Sequence, residues 1–139
     1  IGGGSPIGRI TRDQAAALEQ ALKSDGHFQV RACMRYWPPF AGQVLREMVN
    51  AGIRRFIGLP LYPHFSIATT GSSFFDLHQA AKGIDPSLSI LEIHSWPDEP
   101  SYINCLAGRI KEGLARFNGD PVQIVYSAHS LPKKSITEG

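Results

Sequence analysis

The chain alternates between stretches with helical periodicity and short apolar runs. Apolar residues that recur at intervals of three and four positions predict amphipathic helices. These helices cover residues 11–24, 40–51, 70–82 and about 98–117. Apolar runs bounded by glycine or proline predict strands over residues 28–34, 55–61, 88–94 and 122–127. The alternation predicts an α/β fold of three αβα layers around a mainly parallel four-stranded sheet, as in Rossmann-like and flavodoxin-like proteins.

Polar residues at the segment boundaries are typical of helix termini. Thr11 is expected to cap the first helix, with Gln14 at the capping-box position. Asp98 is expected to cap the fourth helix, ahead of Pro100. Residues from Lys133 onward are expected to begin a further helix.

Composition narrows the class of protein. Apolar residues make up 42% of the 139 positions and charged residues 19%, as in an ordinary globular domain. The net charge of +2 argues against a nucleic-acid partner. No apolar stretch approaches the length of a membrane span. Cys33 and Cys105 lack the spacing of a metal site, and so few cysteines fit a reducing compartment.

Chemically reactive side chains lie at the carboxyl end of each predicted strand. They are Arg35 and Tyr36 at the end of the first strand, Tyr62 and His64 at the end of the second, His94 at the end of the third, and Ser127 and His129 at the end of the fourth. Ligands of open parallel sheets bind beyond the carboxyl ends of the strands. Flat aromatic rings, an arginine and imidazoles at one edge suit a large, planar, anionic ligand with a metal near it.

Structural roles are the alternative for each of these residues. Arg35 can pair with a surface carboxylate, and Tyr36 can close a core. His94 fits a structural role somewhat better than a ligand role. His64 and His129 remain the candidates for metal chemistry, because imidazole binds divalent metals and changes charge near neutral pH.

Several motifs resemble those of ferrochelatase, the enzyme family that inserts ferrous iron into a porphyrin at the end of haem synthesis. In chain order they are Ile1-Gly2-Gly3-Gly4-Ser5-Pro6-Ile7, Met34-Arg35-Tyr36, Leu61-Tyr62-Pro63-His64-Phe65-Ser66, Thr69-Thr70-Gly71-Ser72-Ser73, Ser95-Trp96-Pro97 and Tyr126-Ser127-Ala128-His129-Ser130-Leu131-Pro132. The last motif matches the signature around the family's invariant histidine and is highly specific. The resemblance covers essentially all 139 residues in collinear order.

The resemblance implies a role for each matching residue. The signature histidine maps onto His129, which is implied as the catalytic group, acting as an iron ligand, as the acceptor of pyrrole protons, or as both. His64 matches a histidine that other members replace by glutamine, which implies a metal-approach site. The residues implied in porphyrin binding are Arg35, Tyr36, Tyr62 and Ser127.

The resemblance also implies partners and location. The substrates would be ferrous iron and a porphyrin, either protoporphyrin or coproporphyrin, with no permanently bound cofactor. Ile67 stands where iron–sulfur relatives carry a cluster cysteine, so no cluster is expected. The expected location is the cytoplasm of a bacterial-type cell, and peripheral membrane contact by the full protein stays open. The resemblance leaves the oligomeric state undefined.

Family members are about twice as long, with two similar α/β domains around the porphyrin. Residues 1–139 are therefore expected to form a single α/β unit from the middle of such a protein. Residues 1–85 would come from its first half, and residues 86–139 would lead into the second. Alone, this chain is expected to be inactive, since it lacks the N-terminal strand and the C-terminal half.

Two other functions stay open at this point. A short sirohydrochlorin-type cobalt or nickel chelatase acts as a homodimer and would bring His64 and His129 together. A non-catalytic haem- or porphyrin-binding module would keep the pocket without turnover. An α/β domain with no tetrapyrrole role is disfavoured by the specificity of the histidine signature.

Overall fold

The computed structural model describes residues 4–133, and in that range it contains four α-helices and two strands. The helices are α1, Ile7–Ala21; α2, Ala41–Asn50; α3, Ser72–Ile84; and α4, Pro100–Leu114. The strands are β1, Arg55–Gly58, and β2, Ser89–Glu92. A π-helical turn, Ile67–Gly71, leads into α3, and short 3-10 turns, Leu22–Ser24 and Ala115–Phe117, follow α1 and α4.

The two strands pair as a parallel sheet. The backbone N–H of Ser89 donates to the carbonyl of Arg54 at 3.0 Å, and that of Ile93 donates to the carbonyl of Gly58 at 3.0 Å. Donors and acceptors both advance by four residues in the same direction, which is the register of parallel strands. The α/β class expected from the sequence is confirmed.

The first predicted strand, over residues 28–34, is irregular. The N–H of Val30 donates to the carboxylate of Glu19 at 2.7 Å, and the N–H of Met34 donates to the carbonyl of Pro39 at 2.8 Å. Backbone groups satisfied in this way are not available to a neighbouring strand. Residues 28–34 therefore do not form a strand within the described chain.

The fourth predicted strand, over residues 122–127, is also irregular. This segment is exposed, with 84% of Val125 and 80% of Tyr126 accessible to solvent. A strand forms only where a neighbouring strand supplies its hydrogen bonds, and none of residues 4–133 pairs with this segment. The described residues thus form a two-stranded sheet, and the predicted four-stranded sheet is not seen in them.

Helix positions agree better with the sequence than strand positions do. α2 matches its predicted range within one residue at each end. α1 begins at Ile7 and not after Thr11, because Pro6, with φ of −76°, already has the backbone angle of a helix. The cap of α4 is Glu99 and not Asp98: its side chain accepts the backbone N–H of Tyr102 at 2.9 Å. The helix expected beyond Lys133 falls outside the described residues.

The described chain divides into two compact units. The first unit comprises residues 4–56 and 75–89, and the second comprises residues 57–74 and 90–133. The buried residues of the first unit are Ala41, Val44, Leu45 and Ala81. Those of the second unit are Ser66, Thr70 and Phe74. Among the helices of residues 4–133, none combines the length and apolarity needed to cross a bilayer.

Candidate functional site

In the first unit, a short loop presents two of the expected substrate-binding residues. The backbone N–H of Met34 donates to the carbonyl of Pro39 at 2.8 Å, and Met34 and Phe40 form a parallel bridge that closes the loop. Between these ends, Tyr36 is 73% exposed. The loop therefore holds its aromatic side chain outward on a backbone that is tied at its base.

Arg35 is oriented from two sides within this unit. Its guanidinium lies 3.8 Å from a carboxylate oxygen of Asp76 on α3, and its central carbon lies 4.9 Å from the ring centroid of Tyr36. The ion pair is long and partly exposed, so solvent weakens it. Desolvation by neighbouring atoms, and then the negative charge of Asp76, raise the pKa of the Cys33 thiol, although the residue as a whole is exposed.

In the second unit, the segment between β1 and the π-helical turn carries the other expected binding residues. We call residues 59–66 the 59–66 loop. Tyr62 is 46% exposed, and His64 is exposed as well. Both rings are therefore accessible to solvent.

The 59–66 loop ends in a tightly bonded serine. Ser66 is only 1% exposed, and its hydroxyl accepts the backbone N–H of Thr69 at 3.2 Å. The same hydroxyl lies 2.6 Å from the hydroxyl of Thr69. This is the usual N-cap arrangement, and it fixes the chain two residues after His64.

The end of β2 contributes contacts that the sequence did not assign. The Nε2 atom of His94 lies 3.0 Å from a carboxylate oxygen of Glu92. The His94 ring packs at tilted angles against Phe74 and Phe65, with centroids 5.2 and 6.0 Å apart. The sequence could have indicated the contact between Glu92 and His94, since both lie in the predicted strand 88–94 and residues two apart on a strand share a face.

The signature residues Ser127 and His129 lie in the exposed, irregular segment that follows α4. The imidazole of His129 is therefore not enclosed in an apolar interior. Within residues 4–133, no group of three or more histidine, cysteine, aspartate or glutamate side chains is arranged to hold a metal. The assigned roles of His64 and His129 in metal binding accordingly stay predictions.

An imidazole can bind a divalent metal, and exposed tyrosine rings and a guanidinium can contact flat or anionic ligands. Comparison with known proteins identifies the family to which the chain belongs. A sequence model of the ferrochelatase family matches residues 1–139, the whole chain. The chain therefore belongs to the ferrochelatase family.

Several proteins that are similar to this chain are named ferrochelatase. The ferrochelatase of Desulfotalea psychrophila is 50% identical over 139 residues, which is 100% of this chain and 43% of that protein. The ferrochelatase of Gloeobacter violaceus is 44% identical, covering 99% of this chain and 43% of that protein. The ferrochelatase of Geotalea uraniireducens is 44% identical, covering 100% of this chain and 43% of that protein. The chain thus spans about two fifths of the length of these curated relatives.

Proposed function

We propose that the complete protein inserts ferrous iron into a porphyrin in haem biosynthesis. The observation that carries this proposal is the family match over residues 1–139, with relatives named ferrochelatase at up to 50% identity. Those names favour iron over the cobalt or nickel of a short sirohydrochlorin-type chelatase. They also favour an enzyme, a metal-inserting lyase, over a porphyrin-binding module without turnover.

Metal insertion couples metal binding to proton release. Fe²⁺ enters the ring as two pyrrole N–H protons leave, so charge balances and no oxidation is needed. We assign to His129 the role of iron ligand, or of acceptor of one pyrrole proton at a time, which it passes on to water, or of both in turn, because neutral imidazole can take either role near neutral pH. The exposure of His129 supports this assignment, since an accessible imidazole can meet both the metal and the macrocycle.

Porphyrin binding is assigned to Arg35, Tyr36, Tyr62 and Ser127. Arg35 suits a propionate of the porphyrin, because a guanidinium forms two parallel hydrogen bonds with a carboxylate. Its ion pair with Asp76 is long, at 3.8 Å, so a propionate can compete for it. The exposed rings of Tyr36 and Tyr62 suit contact with a flat macrocycle.

The approach of the metal is assigned to His64. This imidazole is exposed in the same loop as Tyr62, so metal and macrocycle contacts lie two residues apart in the sequence. Fe²⁺ is a substrate in this scheme and not a resident cofactor. Ile67 offers no ligand atom where iron–sulfur relatives carry a cysteine, and the proposal includes no cluster.

The complete protein is proposed to contain the four-stranded sheet of a three-layer αβα fold. Residues 28–34 and 122–127 would supply its other strands once neighbouring chain is present. The exposed apolar side chains of Val125 and Tyr126 support this, since pairing would bury them. Residues 1–85 would then belong to the first half of the protein, and residues 86–139 would lead into the second.

The complete protein is proposed to work in the cytoplasm of a bacterial-type cell, in peripheral contact with a membrane surface. Cys33 and Cys105 are both free thiols, which supports a reducing compartment. Membrane contact would serve a substrate as large and flat as a porphyrin, which partitions readily into lipid.

The test compares His129→Ala with His27→Ala in the complete gene product. His27 is a matched control, because it is also an exposed imidazole but lies outside the proposed site. We expect His129→Ala to lower kcat for iron insertion by about 10²- to 10⁴-fold, as loss of a general base does. Porphyrin binding, followed by fluorescence quenching, should persist in both variants.

Two outcomes would contradict the proposal, and they differ. Wild-type turnover by His129→Ala would overturn the role of this residue while leaving the activity in place. Absence of iron insertion by the wild-type protein, with porphyrin and Fe²⁺ supplied under anaerobic conditions, would overturn the proposed function itself.

A further inference from the structure

The residues that follow β2 hold the 59–66 loop by two of its carbonyl groups. The indole N–H of Trp96 donates to the carbonyl of Pro60 at 3.1 Å, and the backbone N–H of Trp96 donates to the carbonyl of Pro63 at 2.8 Å. Prolines lack an N–H, so the loop has fewer donors with which to close on itself. Its conformation therefore depends on donors from outside the loop.

A third anchor lies at the other end of the loop. The ring of His94 packs against Phe65, with centroids 6.0 Å apart, and against Phe74, at 5.2 Å. The carboxylate of Glu92, 3.0 Å from Nε2, fixes the orientation of the His94 ring. His94 thus supports the residue that directly follows His64.

The three anchor points alternate with the two exposed rings of the loop. Pro60 and Pro63, held by Trp96, lie on either side of Tyr62. Pro63 and Phe65, held by Trp96 and His94, lie on either side of His64. Each of these two exposed rings therefore stands between two anchored residues of the loop.

We infer that His94 and Trp96 are positioning residues, which hold the 59–66 loop so that His64 is already oriented when the metal arrives. This inference rests on the proposed function for the identity of the metal, Fe²⁺. A loop that is ordered before binding loses less conformational entropy on binding. Neither His94 nor Trp96 is required to touch the reacting atoms, so the effect of either residue passes through His64.

The test uses two conservative variants of the complete gene product, each alone and combined with His64→Ala. Trp96→Phe removes the indole donor but keeps a ring against Tyr102, whose centroid lies 5.1 Å from that of Trp96. His94→Gln keeps an N–H donor for Glu92 but removes the ring that packs on Phe65. Tyr102→Phe and His27→Gln are the matched controls.

We expect Trp96→Phe and His94→Gln each to raise the KM for Fe²⁺ by about five- to tenfold, with a smaller change in kcat. In the His64→Ala background, the same substitutions should leave the KM for Fe²⁺ unchanged, because the imidazole through which they act is gone. Equal effects in both backgrounds, or no effect in the wild-type background, would overturn the inference. Melting temperatures identify any variant that fails to fold. If Trp96→Phe or His94→Gln does so, the other of these two variants tests the inference.

A second readout separates this inference from the proposed function. The affinity of the protein for Co²⁺, measured by isothermal titration calorimetry, follows the same set of variants without any need for turnover. The effects of His94→Gln and His64→Ala on Co²⁺ affinity could be coupled in a protein that inserts no iron. That result would support the positioning role of His94 and contradict the proposed function. Iron insertion without coupling in either measurement would leave the function standing and overturn the inference.

Discussion

The carboxylate of Glu19, on α1, accepts a hydrogen bond from the backbone N–H of Val30 at 2.7 Å. It also accepts one from the guanidinium of Arg31 at 3.1 Å. A side chain from a helix thus takes the place that a neighbouring strand would fill. This contact ties the segment between α1 and the Met34–Phe40 loop to α1.

The Glu19 contact predicts a pH dependence of stability. The hydrogen bond from Val30, followed by the charge and the hydrogen bond of Arg31, lowers the pKa of Glu19 below its ordinary value of 4.5. Because the folded-state pKa is the lower one, the contribution is fully present above pH 4.5 and is lost as the pH falls through the folded-state pKa. The free energies of unfolding of wild type and Glu19→Gln, measured by urea denaturation, should therefore differ at pH 7 and converge as the pH falls below the folded-state pKa. Asp25→Asn is the control, and a difference that persists unchanged at low pH would contradict the assignment.

Truncation of a buried apolar side chain on α2 is expected to lower the free energy of unfolding strongly. Leu45 is 3% exposed, and Leu45→Ala leaves a cavity that its neighbours fill only in part. We expect the free energy of unfolding of the 139-residue chain to fall by about 2–5 kcal/mol. Ile7→Ala, at a side chain that is 62% exposed, should change it by less than about 0.5 kcal/mol. Similar losses from both variants in urea denaturation would mean that α2 does not form the core of its unit.

Loss of the buried N-cap at Ser66 is expected to lower stability by a smaller amount, and mainly in the turn that it caps. Ser66→Ala removes the acceptor of the Thr69 N–H and leaves the Thr69 hydroxyl without its 2.6 Å partner. Loss of such a cap costs about 1 kcal/mol. Hydrogen exchange should show faster exchange in the Ile67–Gly71 turn and the first turn of α3, with Ser101→Ala as an exposed control. Unchanged protection in that turn would show that the cap is dispensable.

Activity should require more chain than residues 1–139. This chain spans 43% of the length of the Desulfotalea psychrophila ferrochelatase, so most of such a protein lies outside it. We expect the isolated chain to insert no iron under conditions in which the complete gene product does so. The measurement is the absorbance of the iron porphyrin over time. Equal rates from the two proteins would show that every catalytic group lies within these residues.

The helices were predictable because their signals are local. The apolar stripe of α2 and the proline ahead of α1 act within a few residues of the structure that they determine. The strands were only half predictable, since a strand depends on its neighbour. Residues 55–58 and 89–92 pair with each other, whereas residues 28–34 and 122–127 have no paired strand in the described chain.

The candidate site shows the same division between local and distant signals. The exposure of Tyr62 and His64 on a loop after β1 follows from their position at the end of an apolar run. The anchoring of that loop by Trp96 does not, because 36 residues separate Trp96 from Pro60. Hydrogen bonds between such distant residues leave no periodic trace in a sequence.

The bond between Met34 and Pro39 has a practical consequence. A loop whose two ends are tied together limits how far a change between them spreads, so the exposed Tyr36 and Trp37 can be randomised as a cassette while the bond at the base of the loop and the Arg35–Asp76 ion pair are kept. Directed evolution of the proposed porphyrin-binding surface would best begin with those two codons.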